Sequence, residues 1–149
     1  MEALIFIGIH ATGKTTFYNQ QFVNSHARIS LDLMKTRHIE MVFIETCLKT
    51  GMKLVVDNTN PTIADRKRYI EKAKKAGFQV SGYYFESKLQ AALDRNSGRD
   101  GKAQIPDKGI LGTYKRLELP SYKEGFDKLY YVRITDDGTF DVQEYKDEI

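Results

Sequence analysis

A single cysteine, Cys47, is all the thiol this chain carries, so neither a disulfide framework nor a cysteine-based metal cluster can be built. It falls in an apolar helical pattern, and a buried thiol is expected there. Long apolar runs are missing as well. Residues 3 to 9 are apolar apart from one glycine, follow Glu2 and lead straight into a glycine-containing loop. Such a run is too short for a membrane span of about 20 residues and lacks the flanks of a signal peptide, so a cytoplasmic location is expected. Neither sign of charge dominates. Twenty-three basic against 20 acidic residues give a net charge of +3, which permits an anionic substrate without demanding one. Repeats, low-complexity segments and linkers are absent too, and 149 residues fit one domain spanning 1–149.

What is present is concentrated early. Gly8-Ile9-His10-Ala11-Thr12-Gly13-Lys14-Thr15 reads Gly-x-x-x-x-Gly-Lys-Thr, directly after the apolar run and followed by Thr16 and a helical pattern. Strand before and helix after is the context that makes this a phosphate-binding loop. The chemistry explains the spacing. Glycines let backbone N–H groups turn inward around a β-phosphate, Lys14 neutralises the β and γ oxygens, and the Thr15 hydroxyl can ligate Mg²⁺. The helix that follows points its positive end at the same phosphates. Donor binding is therefore expected from Gly8, His10, Ala11, Thr12, Gly13, Lys14, Thr15 and Thr16, with ATP or another nucleoside triphosphate and Mg²⁺ as cofactors.

Further along, short β-rich runs alternate with longer helix-period stretches, the pattern of a parallel sheet with crossover helices. Strands are expected at Leu4–Gly8, Ala27–Leu31, Lys53–Asp57, Gln79–Phe85 and Leu129–Ile134. Helices are expected at Thr15–Asn24, Asp32–Thr50, Thr62–Ala76 and Lys88–Asn96, with Gly51 and Gly77 as stops. A further helix fits Ile105–Leu119 with Pro106 in its first turn. The turn signal Asp136-Asp137-Gly138 suggests an edge hairpin over residues 131–145. The fold class is thus α/β: a single-domain P-loop NTPase with a parallel sheet of about five strands and helices on both faces.

In such a sheet, ligands gather outside the carboxyl ends of the strands. Asp32 follows the second strand, where its carboxylate either accepts the proton of an attacking hydroxyl or caps the next helix. Lys35 and Arg37 beside it would offset an acceptor's negative charge. Asp57 ends the third strand, the position of a Walker-B-type acid that holds the Mg²⁺ shell or the Thr15 hydroxyl; a simple turn is the alternative. Arg95 and Arg99, in the segment Arg95-Asn96-Ser97-Gly98-Arg99, occupy one face if the helix continues and can then close over a triphosphate, or else form a solvated loop. They define a small basic lid at about 95–105. Lys35, Arg37, Arg66, Lys67, Arg68 and Lys102 could together supply an electropositive track for a polynucleotide.

These segments carry a resemblance. Gly8 to Thr16, the Asp32 segment, Val56-Asp57-Asn58-Thr59-Asn60-Pro61 with Arg66 and Tyr69, and Arg95 to Arg99 with Ile105-Pro106 resemble the kinase domain of 5′-hydroxyl polynucleotide kinases, within the small P-loop kinases. Pro120 and Glu124-Gly125-Phe126 resemble that family's approach to its last core strand, so the likeness spans residues 3 to about 134. The resemblance implies that Lys14 and Thr15 serve the donor phosphates and Mg²⁺, that Asp32 activates the acceptor 5′-hydroxyl, and that Arg99 and Arg95 clamp the donor. It sets Lys35, Asp57 and Arg66 on the acceptor side. Two positions depart from the family: glycine is usual where Ala11 stands, and arginine occurs where Lys35 stands.

The expectation is ATP-dependent transfer to a hydroxyl, with a 5′-OH nucleic-acid end as the leading acceptor. A kinase of a small hydroxyl metabolite or nucleotide sugar shares the same donor site. A nucleotide-dependent switch is a third reading, but the chain has no Asn-Lys-x-Asp guanine signature.

Overall fold

A computed structural model describes residues 1–146. Its centre is β1 (Glu2–Ile7), whose side chains alternate between two cores as strand geometry requires. Ala3, Ile5 and Ile7 face one cluster with Ile44, Cys47, Tyr69, Ile70, Phe126 and Leu129. Leu4 and Phe6 face the other with Phe17, Val55, Phe85 and Val132. Full burial on both faces is why β1 reads as a continuous apolar run. Each such side chain contributes about 1.5–3 kcal/mol of burial free energy.

Around it stand β2 (Ala27–Ile29), β3 (Leu54–Val56), β4 (Gln79–Phe85), β5 (Lys128–Ile134) and β6 (Phe140–Glu144), in spatial order β2-β3-β1-β4-β5-β6. β1 pairs in parallel with β3 and β4, β2 with β3, and β4 with β5; β6 is antiparallel to β5, with Ile134 opposite Phe140. The sheet therefore has six strands rather than about five, the sixth being the second arm of the expected hairpin. The order reverses at β1, flanked by β3 on one side and β4 on the other, which opens a crevice at its carboxyl end.

Helices α1 (Lys14–Gln21), α2 (Leu31–Met34), α3 (Arg37–Thr50), α4 (Ile63–Lys75), α5 (Leu89–Ser97) and α6 (Asp107–Arg116) connect the strands. α3 and α4 cover the Ile5 face and α1 the Phe6 face. α5 and α6 pack Ala92 and Ile110 against Ile9 and Ala11 of the loop after β1.

Several boundaries differ from the sequence reading. The stretch Asp32–Thr50 is two helices, because Lys35 turns to a positive φ of 72° and Thr36 starts a new helix by accepting from the Ile39 N–H at 3.1 Å. Pro106 precedes α6 as its N-cap rather than entering the first turn. The helix after the phosphate loop ends at Gln21, short of Asn24. Gly51 and Gly77 close α3 and follow α4 with φ of 78° and 82°, as expected of stops. Cys47 is buried, and burial pushes its thiol pKa up. No helix among the described residues is long and apolar enough to cross a membrane.

Candidate active site

The loop Gly8 to Gly13 leaves β1 and delivers Lys14 and Thr15 to the first turn of α1. Gly8 sits so close to Phe85 that an added Cβ would lie 3.0 Å from its carbonyl oxygen, and the Gly8 N–H donates to the Thr59 carbonyl at 2.9 Å. Gly13 has φ 90°, and a Cβ there would meet the Phe140 ring at 2.8 Å. Both glycines are thus fixed by contact as well as by backbone angle. Ala11 adopts φ 60°, a left-handed conformation that glycine takes more readily than alanine.

Lys14 is buried against its own loop. Its Nζ donates to the carbonyls of Gly8 at 3.0 Å and Ile9 at 2.6 Å. Burial lowers its pKa to about 8, partly opposed by the charge of Asp57. The Thr15 hydroxyl donates to Asp57 Oδ2 at 2.9 Å, joining the starts of α1 and of the loop after β3. Asp57 is buried, and the same Oδ2 also accepts from Arg28 Nε at 2.8 Å. Arg28 lies in β2, and its Nη2 donates to Thr15 Oγ1 at 3.3 Å.

These groups line a cleft of about 230 Å³ with His10, Ala11, Gly13, Thr16, Leu31, Asp32, Asn58, Thr59, Arg99 and Ile105. Asp32 stands in the first turn of α2 with its carboxylate exposed to the cleft and free of hydrogen bonds and ion pairs among the described residues. It is not the helix cap. That task falls to Asn58, whose Oδ1 accepts from the Leu31 N–H at 2.9 Å. His10 is half-buried with its Nδ1 unpartnered; burial and then the charge of Lys14 lower its pKa, so the ring is neutral near pH 7.

Arg99 lines the cleft and donates from Nη1 to the Ala103 carbonyl at 3.3 Å. Arg95 Nη1 donates to the Ala11 carbonyl at 3.1 Å, fastening α5 onto the phosphate loop. Lys35 is exposed at the end of α2 and does not line the cleft.

Arg66 requires a correction. It is fully buried, with Nε and Nη2 on the two carboxylate oxygens of Glu124 at 2.8 and 3.0 Å and Nη1 on the Asn60 carbonyl at 2.9 Å. All three guanidinium nitrogens are bonded inside the protein and the side chain has no exposed surface, so it does not touch a substrate in the cleft. Asn60 in turn donates to the Phe6 carbonyl at 2.8 Å, and Arg66 therefore braces the loop that carries Asp57 and Asn58.

Other members of the expected track are paired as well. Lys67 lies 3.6 Å from Glu71 and Arg68 3.8 Å from Asp65, while Arg37 bonds Tyr69 at 2.6 Å and Glu40 at 3.2 Å. The Lys102 side chain lies outside what the structure describes. The residues that sequence reasoning missed are Arg28 and Asn58. Arg28 is an arginine inside a short strand, with no motif to mark it; Asn58, next to Asp57, was legible only as a turn former.

The donor set fits a hard divalent cation. A hydroxyl and a carboxylate, with phosphate and water supplying the rest, suit Mg²⁺, which typically takes only one or two protein oxygens. No cluster of three or more His, Cys, Asp or Glu side chains suited to a metal occurs among the described residues.

Fold and site together define a P-loop kinase domain. A sequence profile described as an AAA domain matches residues 4–120, and the chain belongs to that family. It is 28% identical over 129 residues to a bifunctional polynucleotide phosphatase/kinase of Schizosaccharomyces pombe, covering 84% of this chain and 32% of that protein. The chain spans about a third of the length of the curated relatives it matches. Among solved structures it resembles Kti12 of Chaetomium thermophilum in complex with ADP-AlF3, with TM-score 0.64 and 15% identity over 91% of this chain and 90% of that one. It also resembles a gluconokinase from Sinorhizobium meliloti, with TM-score 0.63 and 14% identity over 91% and 83% of the two chains.

Proposed function

We propose that this domain transfers the γ-phosphoryl group of ATP to a hydroxyl, and that the acceptor is the 5′-OH end of a polynucleotide. The observation that carries the reading is that Asp32 and the phosphate loop open onto one cleft, with a carboxylate that no protein group occupies. In the reaction, Asp32 takes the hydroxyl proton as the acceptor oxygen forms its bond to the γ-phosphorus. The bond from that phosphorus to the β,γ-bridging oxygen breaks, and ADP leaves with the electron pair. Lys14 and Arg99 offset the charge on the phosphates, and Arg95 holds the lid, residues 95–105, against the loop. Thr15 and Asp57 would hold Mg²⁺, which supplies charge neutralisation on the donor phosphates.

The polynucleotide acceptor rests on the relatives named as polynucleotide phosphatase/kinases and on the motifs shared with that family. A second reading, a kinase of a small hydroxyl metabolite, is favoured by one observation: Arg66, a member of the expected nucleic-acid track, is fully buried against Glu124 and cannot contribute to it.

Transfer of labelled phosphate from ATP to 5′-OH oligonucleotides, run beside a panel of sugars and nucleosides, separates the two. Labelling of oligonucleotides that weakens steeply with salt supports the polynucleotide acceptor. Labelling confined to a small hydroxyl compound, with little salt response, replaces it with the second reading.

A further inference from the structure

Two side chains meet at one carboxylate oxygen beneath the cleft. Asp57 Oδ2 accepts from Thr15 Oγ1 at 2.9 Å and from Arg28 Nε at 2.8 Å, and Arg28 Nη2 closes the triangle on Thr15 Oγ1 at 3.3 Å. A threonine hydroxyl has one proton and two lone pairs. The proton of Thr15 goes to Asp57, and one lone pair faces a guanidinium. Those same two side chains are the oxygens expected to meet a divalent cation. Lys14, the cation of the loop itself, instead points its Nζ at the carbonyls of Gly8 and Ile9. The charge of Asp57 is therefore balanced by Arg28, whose side chain is 26% exposed and lines the cleft.

We infer that Arg28 is a resident cation at the metal position. It competes with the divalent ion for Thr15 and Asp57, and it attracts nucleotide phosphates when the ion is absent. Two features make the competition physical. A guanidinium cannot lose its charge, so it cannot step aside by deprotonating. It also lies within hydrogen-bond reach of both oxygens, so a second cation there is repelled unless the side chain swings away into the cleft. Leaving costs Arg28 two charge-assisted or polar hydrogen bonds, which raises the metal concentration needed to form the ternary complex. The inference rests on the donor-site reading given above and adds a determinant of metal dependence to it.

The test uses the intact chain and measures ATP binding by titration calorimetry, once in EDTA and once across a Mg²⁺ series. Arg28→Gln is expected to weaken metal-free ATP binding by about tenfold and to lower the Mg²⁺ concentration for half-maximal effect by about tenfold, the scale of one hydrogen bond to a charged group. Arg28→Lys, which keeps the charge but loses the planar two-point contact, is expected to fall between. An unchanged or higher Mg²⁺ requirement in Arg28→Gln overturns the inference, because a residue that merely orients Asp57 would weaken metal binding on removal.

Should the substitution unfold the chain, the Arg28 Nε–H resonance of the unmodified protein answers the same question. It is expected to shift when Mg²⁺ is added to the ATP complex and to stay put in EDTA; no shift on adding Mg²⁺ overturns the inference. Wild-type protein that binds no ATP under either condition removes the donor-site reading itself. ATP binding with identical metal responses in wild type and Arg28→Gln removes only the role of Arg28.

Discussion

The Asn58 side chain donates from Nδ2 to the fully buried carboxylate of Glu40 at 2.9 Å, and its Oδ1 accepts from the first N–H of α2. Glu40 also accepts from Tyr69 at 2.8 Å and from Arg37 at 3.2 Å. The position of Asp32, on a four-residue helix with no stability of its own, is therefore set from beneath by a buried network. Burial and the neighbouring Glu40 charge push the Tyr69 phenol far above its ordinary pKa, so it remains a donor throughout the working range.

Asn58→Ala follows from that relationship. It removes the cap of α2 and one partner of Glu40, at a cost of about 1–3 kcal/mol of stability. Because Asp32 loses its support while the phosphate loop does not, kcat should fall about tenfold or more, with the KM for ATP little changed. Thermal melting and steady-state kinetics check both parts. A rise in the KM for ATP with kcat unaltered would mean that Asn58 serves the donor instead.

The lowered pKa of Lys14 makes nucleotide binding depend on pH. A phosphate stabilises the charged ammonium, so the bound-state pKa lies above the free-state value of about 8. Below that value Lys14 is already protonated and affinity is flat. Above it binding must take up a proton, so affinity weakens as pH rises toward the bound-state pKa. Calorimetry between pH 7 and 9.5 in buffers of different ionisation heat should detect the uptake. Constant affinity across that range, without proton uptake, would show that Lys14 is charged in the free protein throughout.

Ala11 tests how effects of similar size cancel. Its left-handed backbone costs about 1–2 kcal/mol. Glycine would relieve that strain but would give up a buried methyl of about 0.8 kcal/mol and about 0.4–1 kcal/mol through unfolded-chain entropy. Ala11→Gly should therefore melt within about 3 °C of wild type. Ala11→Val, β-branched at φ 60° and packed against Ile9 and Ala92, should lose more than about 2 kcal/mol. Equal melting of the two variants would contradict the strain argument.

Gly13 and Phe140 are coupled across the sheet edge. A methyl at Gly13 would lie 2.8 Å from the Phe140 ring at a φ of 90°, so Gly13→Ala should weaken ATP binding and stability together. Phe140→Leu in the same chain should restore part of the loss. The non-additivity expected of touching residues is about 0.5–3 kcal/mol in a double-mutant cycle. Strict additivity would place the two out of contact.

The phosphate loop was legible because its information is local: after a strand come a glycine loop, a lysine and a hydroxyl in eight residues. The proposed acceptor side was less so. Lys35 breaks the long helical pattern by taking a positive φ, which lysine propensity does not encode. Arg66 read as an acceptor-side cation on a helix, yet its partner Glu124 lies 58 residues away. Arg28 gains its meaning only when β2 and β3 come together in parallel, with Arg28 opposite Val55 and Asp57 just beyond the strand end. The sixth strand was visible as a hairpin signal, but its contact with Gly13 depends on sheet order.

The measurement that bears most directly on the whole is phosphate transfer by Asp32→Asn, made alongside ATP binding by the same variant. Transfer to the preferred hydroxyl should fall by roughly 10²–10⁴-fold while ATP binds as in wild type. Transfer at the wild-type rate would mean that Asp32 is not the base, and that the cleft joins donor and acceptor through some other group.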